Sequence, residues 1–149
     1  MSSTSTNLTI VKDVTIDAPA AKVFAALTEP DQLTQWWGSD EIYRVTHMER
    51  DLRVGGTWRT TGRGADGHTF AVEGVYRAIE PPRLLEYTWN YDWDEHRAET
   101  VVRFELTERA GSTHVHVTHS GFLERAAHDQ HEQGWDLVLG WLTRFVERP

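Results

Sequence analysis

The stretch Gly134-Trp-Asp-Leu-Val-Leu-Gly-Trp-Leu-Thr-Arg-Phe145 decides how the rest of this 149-residue chain can fold. Trp135, Val138, Trp141, Leu142, Phe145 and, just beyond, Val146 recur at intervals of three and four. That spacing places side chains on one face of an α-helix. Extended over 123–148, the pattern predicts a helix of about 25 residues, roughly 37 Å long at 1.5 Å per residue. So long an apolar stripe needs a partner surface of similar extent.

The residues before it supply one. From Ile42 to about Ser120 the apolar period is two, which predicts strands at 42–50, 56–62, 68–80, 83–91, 98–108 and 112–120. A further strand is predicted at 8–17, on the alternation of Ile10, Lys12, Val14 and Ile16. Short connections such as Gly55-Gly56, Pro81-Pro82 and Glu108-Arg-Ala-Gly-Ser112 imply an antiparallel meander. One face carries Phe70, Val72, Gly74, Tyr76, Leu85, Tyr87, Trp89, Tyr91, Val102, Phe104, Leu106, Val115 and Val117. The opposite face carries Glu73, Arg77, Glu86, Arg103, Glu105, His114 and His116, as expected of a sheet with one side toward water. Seven strands about 4.8 Å apart make a sheet about 29 Å wide, which the helix can cover. The expected class is therefore α+β: a curved antiparallel sheet of about seven strands wrapped on a long C-terminal helix, with two short helices after strand one.

Those two helices follow from Pro19 and Pro30, each placed to open a helical turn. The second ends at Gln35-Trp-Trp-Gly-Ser-Asp40, where adjacent tryptophans cannot share one face of any regular element. We expect one ring to enter the core and the other to lie along a rim, with Gly38 to Asp40 as a flexible lip. Gly74 and Gly134 remove side chains from facing surfaces, which leaves room for a cavity between sheet and helix.

Seven Trp, five Phe and four Tyr sit in a chain whose mean hydropathy is only −0.54. The apolar surface is thus concentrated in a few large flat rings, which suit cores and binding pockets alike. Absence of cysteine excludes disulfides and thiolate chemistry and suits a reducing, cytoplasmic location. A net charge of −8, with Lys and Arg scattered, argues against nucleic acid and anionic membrane. No apolar run reaches the ~18 residues of a membrane span. The polar first seven residues are expected to be disordered and 8–149 to form a single domain.

Chemistry-bearing patterns are sparse. His128, His131 and Glu132 share one side of the last helix but match neither zincin order, and we expect a solvated first turn there. His114 and His116 alternate with valines and face solvent, so no metal site is expected. His119 lies on the valine side, where it could reach a pocket mouth and hydrogen-bond a ligand. The apolar faces carry essentially no Asp or Glu, so no acid–base pair is evident. A catalyst would have to use His119, Asp40 or Tyr87.

Val14–Trp37 (VTIDAPAAKVFAALTEPDQLTQWW), Asp51–Arg59 (DLRVGGTWR), Gly74–Trp89 (GVYRAIEPPRLLEYTW), His119-Ser-Gly-Phe122 and the opening stretch occur together in that order. The combination resembles the START-like helix-grip superfamily, and within it the bacterial branch named for homology to the activator of the heat-shock-protein-90 ATPase. The resemblance covers nearly the whole chain. It implies a hydrophobic cavity lined by Trp36 and Trp37 at the mouth, by Trp58, Phe70, Val72, Tyr87, Trp89 and Phe104 from the sheet, and by Trp135, Val138, Leu139 and Leu142 from the helix. Members of the superfamily bind lipids, polyketides and other apolar molecules, and some cyclise polyketides. The expected partner is a small hydrophobic ligand, with no cofactor and no metal. A cyclase or hydrolase in the same cavity is the alternative. A protein-interaction module is another, either a homodimer through Trp93 or, less favoured for a lone domain, a chaperone partner.

Overall fold

The computed structural model describes residues 8–94 and 98–149; the segment expected to be disordered, 1–7, lies outside them. The chain runs β1 (Leu8–Ile16), α1 (Ala20–Thr28), α2 (Pro30–Trp36), β2 (Gly38–Ser39), β3 (Tyr43–Arg50), β4 (Thr57–Gly64), β5 (Thr69–Glu80), β6 (Leu84–Tyr91), β7 (Thr100–Arg109), β8 (Ser112–Phe122) and α3 (Arg125–Val146). The strands form one antiparallel sheet in the order β1-β8-β7-β6-β5-β4-β3-β2. This is the expected α+β architecture, with one strand more than the seven predicted.

Alternation fixes the faces. Val72, Gly74 and Tyr76 on β5, and Leu85, Tyr87, Trp89 and Tyr91 on β6, are buried, while Glu73, Val75 and Arg77 are exposed. Register shifts at Leu8/Ile10, Val45/His47 and Tyr76/Ala78 interrupt three of the ladders. Such bulges bend the bulged strand and increase its twist, so the sheet curls toward its apolar face. Helix α3 lies in that concavity, and its 22 residues span about 33 Å. Trp135, Val138, Leu139, Leu142 and Val146 from α3 join the inward residues of the sheet and of α1 in one hydrophobic cluster.

The additional strand corrects an expectation. Gly38 and Ser39 pair with Arg44 and Tyr43, so the segment after the tryptophan pair is held by a ladder and is not a flexible lip. Gly38 has φ +125°, and a Cβ there would sit 2.3 Å from the Tyr43 carbonyl oxygen. Only glycine lets the chain leave α2 and enter the sheet at once.

Candidate functional site

Trp36 and Trp37 part company as their position demands. Trp36 ends α2, is 3% exposed, and its Nε1–H donates to the Ala26 carbonyl oxygen at 2.9 Å. It is a core residue and not part of the cavity mouth, because its indole is committed to α1. Trp37 follows with extended backbone (φ −83°, ψ 92°), which swings its ring away from the helix. The two rings stack at 5.1 Å, and Trp37 then meets Trp89 and Trp135, both at 6.1 Å.

Trp37 forms one wall of a cavity of about 340 Å³ enclosed by α1, α2, α3 and strands β3 to β6. Of the residues expected to line it, Trp37, Trp58, Phe70, Val72, Tyr87, Trp89, Trp135 and Val138 do so. Trp36, Phe104, His119, Leu139 and Leu142 do not, and stand behind the first layer. Phe104, for example, packs edge-on against Trp135 at 5.7 Å and is shielded by it. Lining residues that sequence reasoning missed include Leu27, Leu33, Tyr43, Val45, Met48, Tyr76 and His131. Gly134 faces the space, and nothing lies within 4 Å of where its Cβ would be. Exposed His68, Thr69, Trp93 and Gln130 surround the opening. No Asp, Glu, Lys or Arg lines the cavity among the described residues.

Polar groups at the wall are satisfied by one another. Trp135 Nε1–H donates to His119 Nδ1 at 3.0 Å, so the His119 proton resides on Nε2 and is donated to Thr100 Oγ1 at 2.7 Å. Thr100 Oγ1–H in turn donates to the Trp89 carbonyl oxygen at 3.0 Å. Trp89 Nε1–H donates to His131 Nε2 at 3.2 Å, and His131 Nδ1–H donates to the Ala127 carbonyl oxygen at 2.9 Å. Each histidine is thereby a neutral imidazole used once as donor and once as acceptor. Burial, reinforced by the neighbouring His131 and His128, holds His119 well below its ordinary pKa of 6.5. Burial lowers His131 as well, opposed in part by its bond to Ala127.

Both histidines therefore differ from expectation. His119 is wholly buried and does not reach the mouth, because its two nitrogens are committed to the indole behind the wall and to Thr100. The histidine-bearing side of the first turns of α3 is not solvated: His128 and His131 are buried, and of the three residues singled out there only Glu132 is partly exposed. His131 is surrounded by Tyr91, Trp93 and Phe122 at 4.8, 5.7 and 4.9 Å, an aromatic sleeve invisible in the polar local sequence.

Burial also raises the phenols. Tyr76 is pushed up to about 12 and Tyr43 is raised, while Tyr87 lies above the ordinary tyrosine range. They are neutral donors at physiological pH. Tyr43 Oη accepts a hydrogen bond from Trp37 Nε1 at 3.3 Å. The Trp58 Nε1–H is a fully buried donor with no hydrogen-bond partner among the described residues; its ring lies over Gly74, where a Cβ would come within 2.8 Å of that nitrogen.

The remaining candidates lie outside the cavity. Asp40 is exposed and paired with Arg44 at 2.9 Å, too far out to act as an acid within. Trp93 is 43% exposed but folds back, stacking on His131 and meeting Phe70 edge-on at 6.0 Å, with its Nε1–H donating to Gln130 Oε1.

A curled antiparallel sheet gripping a long C-terminal helix, with an aromatic cavity between them, defines a helix-grip protein. Residues 17–147 match the family model described as Activator of Hsp90 ATPase homolog 1-like protein, and the chain belongs to that family. Among solved structures it is similar to a protein from Chromobacterium violaceum (21% identity, TM-score 0.83, covering 95% of this chain and 98% of that one). It is similar to the AHSA1-like protein from Aeromonas hydrophila (23%, 0.77, 94% and 92%) and to CalU16 from Micromonospora echinospora (24%, 0.74, 93% and 74%). These likenesses concern the fold. No curated protein matches the chain. No helix of the described residues is long and apolar enough to cross a membrane.

Proposed function

We propose that the protein binds a flat, uncharged, largely apolar small molecule, aromatic or polycyclic, in the cavity between α3 and the sheet. The observation that carries this reading is the lining itself: five indoles, Phe70 and three phenols around about 340 Å³, with no charged side chain among the described residues. That volume stands at the small end of the roughly 300–1,000 Å³ of ligand pockets, which favours a compact ligand of a few fused rings. Four of the five lining indoles already have hydrogen-bond acceptors from the protein, so their faces rather than their N–H groups are offered to a ligand. Offset or edge-on stacking against such faces contributes roughly 0.5–1.5 kcal/mol per pair beyond burial. We read the role as binding rather than turnover: His131 in the inner wall and His119 behind it are neutral and have both ring nitrogens engaged.

Tryptophan emission provides the test, because Trp37, Trp58, Trp89 and Trp135 would touch the ligand. Titration with fused-ring aromatics, flavonoid-type and polyketide-type compounds and fatty acids should quench or shift the emission saturably for the flat aromatics. If none of them perturbs the emission or raises the melting temperature, the reading is wrong.

A further inference from the structure

The outer face of the sheet carries a second constellation, remote in function from the cavity. His114 and His116 are two apart on β8, so both side chains emerge on the solvent side. Strand pairing sets Asp13 of β1 directly opposite His116, with His114 one diagonal step away. His114 Nε2 and His116 Nδ1 lie 2.8 and 2.7 Å from the same carboxylate oxygen, Asp13 Oδ1. The three ligand atoms all fall within 4.8 Å of one another. No linear motif contains this set, because Asp13 lies about a hundred residues from its partners and only the ladder assembles it.

We propose that Asp13, His114 and His116 form a binding site for a divalent transition-metal ion. Two imidazoles and one carboxylate on one face, with the remaining positions open to water, suit zinc, nickel, cobalt or copper; magnesium and calcium prefer all-oxygen shells. In the ion-free arrangement both rings present N–H to Asp13. Metal binding needs the lone pairs of those same nitrogens, so each ring moves its proton to its other nitrogen, a low-cost change for side chains in contact with water. With metal–ligand bonds of about 2.0–2.2 Å, the three ligating atoms must spread slightly from their present separations, which side-chain rotation supplies while the paired strands fix the Cα positions. Glu105, opposite His116 on the other side, does not compete for the ion, because Arg103 holds it at 2.7 Å. A second grouping, His128 with Asp129 and Glu132, is weaker: it has one imidazole, whose Nε2 is directed at the Thr9 carbonyl oxygen. An ion at the first site would cross-link β1, an edge strand, to its neighbour β8.

The test is calorimetric titration of the full chain with zinc chloride and with nickel chloride at neutral pH, magnesium chloride serving as the control. One equivalent should bind with a dissociation constant on the order of micromolar. A hundredfold excess over that constant should raise the melting temperature by several degrees, because only the folded ladder assembles the ligands. His114→Ala and His116→Ala should each weaken binding by more than about tenfold, whereas His47→Ala, a control for the other exposed imidazoles, should leave it unchanged. No binding up to about millimolar ion, or undiminished binding in both the His114 and the His116 variants, would overturn the proposal.

Discussion

The buried histidine behind the cavity wall makes a pH-dependent prediction that can be worked through. In His119→Leu the side-chain volume is nearly kept while both hydrogen bonds are lost. Thr100 Oγ1 still donates to the Trp89 carbonyl oxygen, but Trp135 Nε1 loses its acceptor inside the protein. An orphaned buried donor costs about 1–3 kcal/mol, which is the expected loss at neutral pH. Unfolded, His119 takes up a proton near 6.5; folded, it resists, chiefly because it is desolvated. Just below 6.5 the unfolded chain therefore binds more protons, so wild-type stability is complete above that value and declines as pH falls toward the depressed folded pKa. A strongly depressed histidine removes about 1.4 kcal/mol between roughly pH 7.5 and 5.5, and His131 adds to the slope in the same direction. The leucine variant lacks the His119 share, so its deficit relative to wild type should shrink by about 1.4 kcal/mol over that interval. Urea unfolding followed by tryptophan emission, repeated across the pH range, measures both curves. A deficit that does not change with pH would show that His119 is not held neutral by the fold. Asp13, lowered by its bonds to His116 and His114, does not confound the interval, since its contribution is lost only as pH falls through and below 3.8.

Other expectations concern the tryptophan pair and the glycines. Trp36→Ala should destabilise by about 3–5 kcal/mol, as for a deleted core aromatic, in thermal or urea unfolding. Trp37→Ala should cost less, because its ring borders empty space, yet should weaken binding of a flat aromatic by at least about tenfold in the emission titration. Gly134→Ala should stabilise α3 by up to about 1 kcal/mol, since a helical glycine is replaced where the added methyl meets nothing within 4 Å. Gly134→Leu should keep the fold and abolish ligand uptake by filling the cavity; a folded variant that binds normally would place the ligand elsewhere. Gly74→Ala should be severely destabilising, its Cβ falling 1.9 Å from the Thr88 carbonyl oxygen, and circular dichroism melts would reveal this.

Much of the fold was legible because its signals are local. Alternation in Leu85, Tyr87, Trp89 and Tyr91 marks β6 within one residue of its start, and the spacing of Trp135, Val138 and Leu142 marks α3. Strand β2 was not legible: two residues carry no period, and only the φ of Gly38 and the proximity of Tyr43 make them pair. The site was half legible. Parity on a strand gives direction, so Phe70, Tyr87 and Trp89 on the inward face do line the cavity, as does Trp58, which the family resemblance implies. Depth does not follow from parity, so Phe104, Leu139 and Leu142 were placed one layer too near the cavity. The histidines misled for a different reason. His131 sits in a polar stretch, and only tertiary contact with Trp89 and Tyr91 explains its burial. His119 finds its acceptor-seeking indole on another element, sixteen residues further along the chain.

The hydrogen-bond chain through Trp135, His119, Thr100, Trp89 and His131 divides the wall into two classes of residue with different freedom to change. Substitution at any member breaks a bond on which its neighbours depend. Val72, Val138 and Met48 border the same space without joining that chain; their exchange for larger or smaller side chains reshapes the interior and leaves the scaffold's polar pairing untouched. The shape of the cavity can therefore drift among descendants of this fold, or be redirected by design, at three positions whose variation costs only packing.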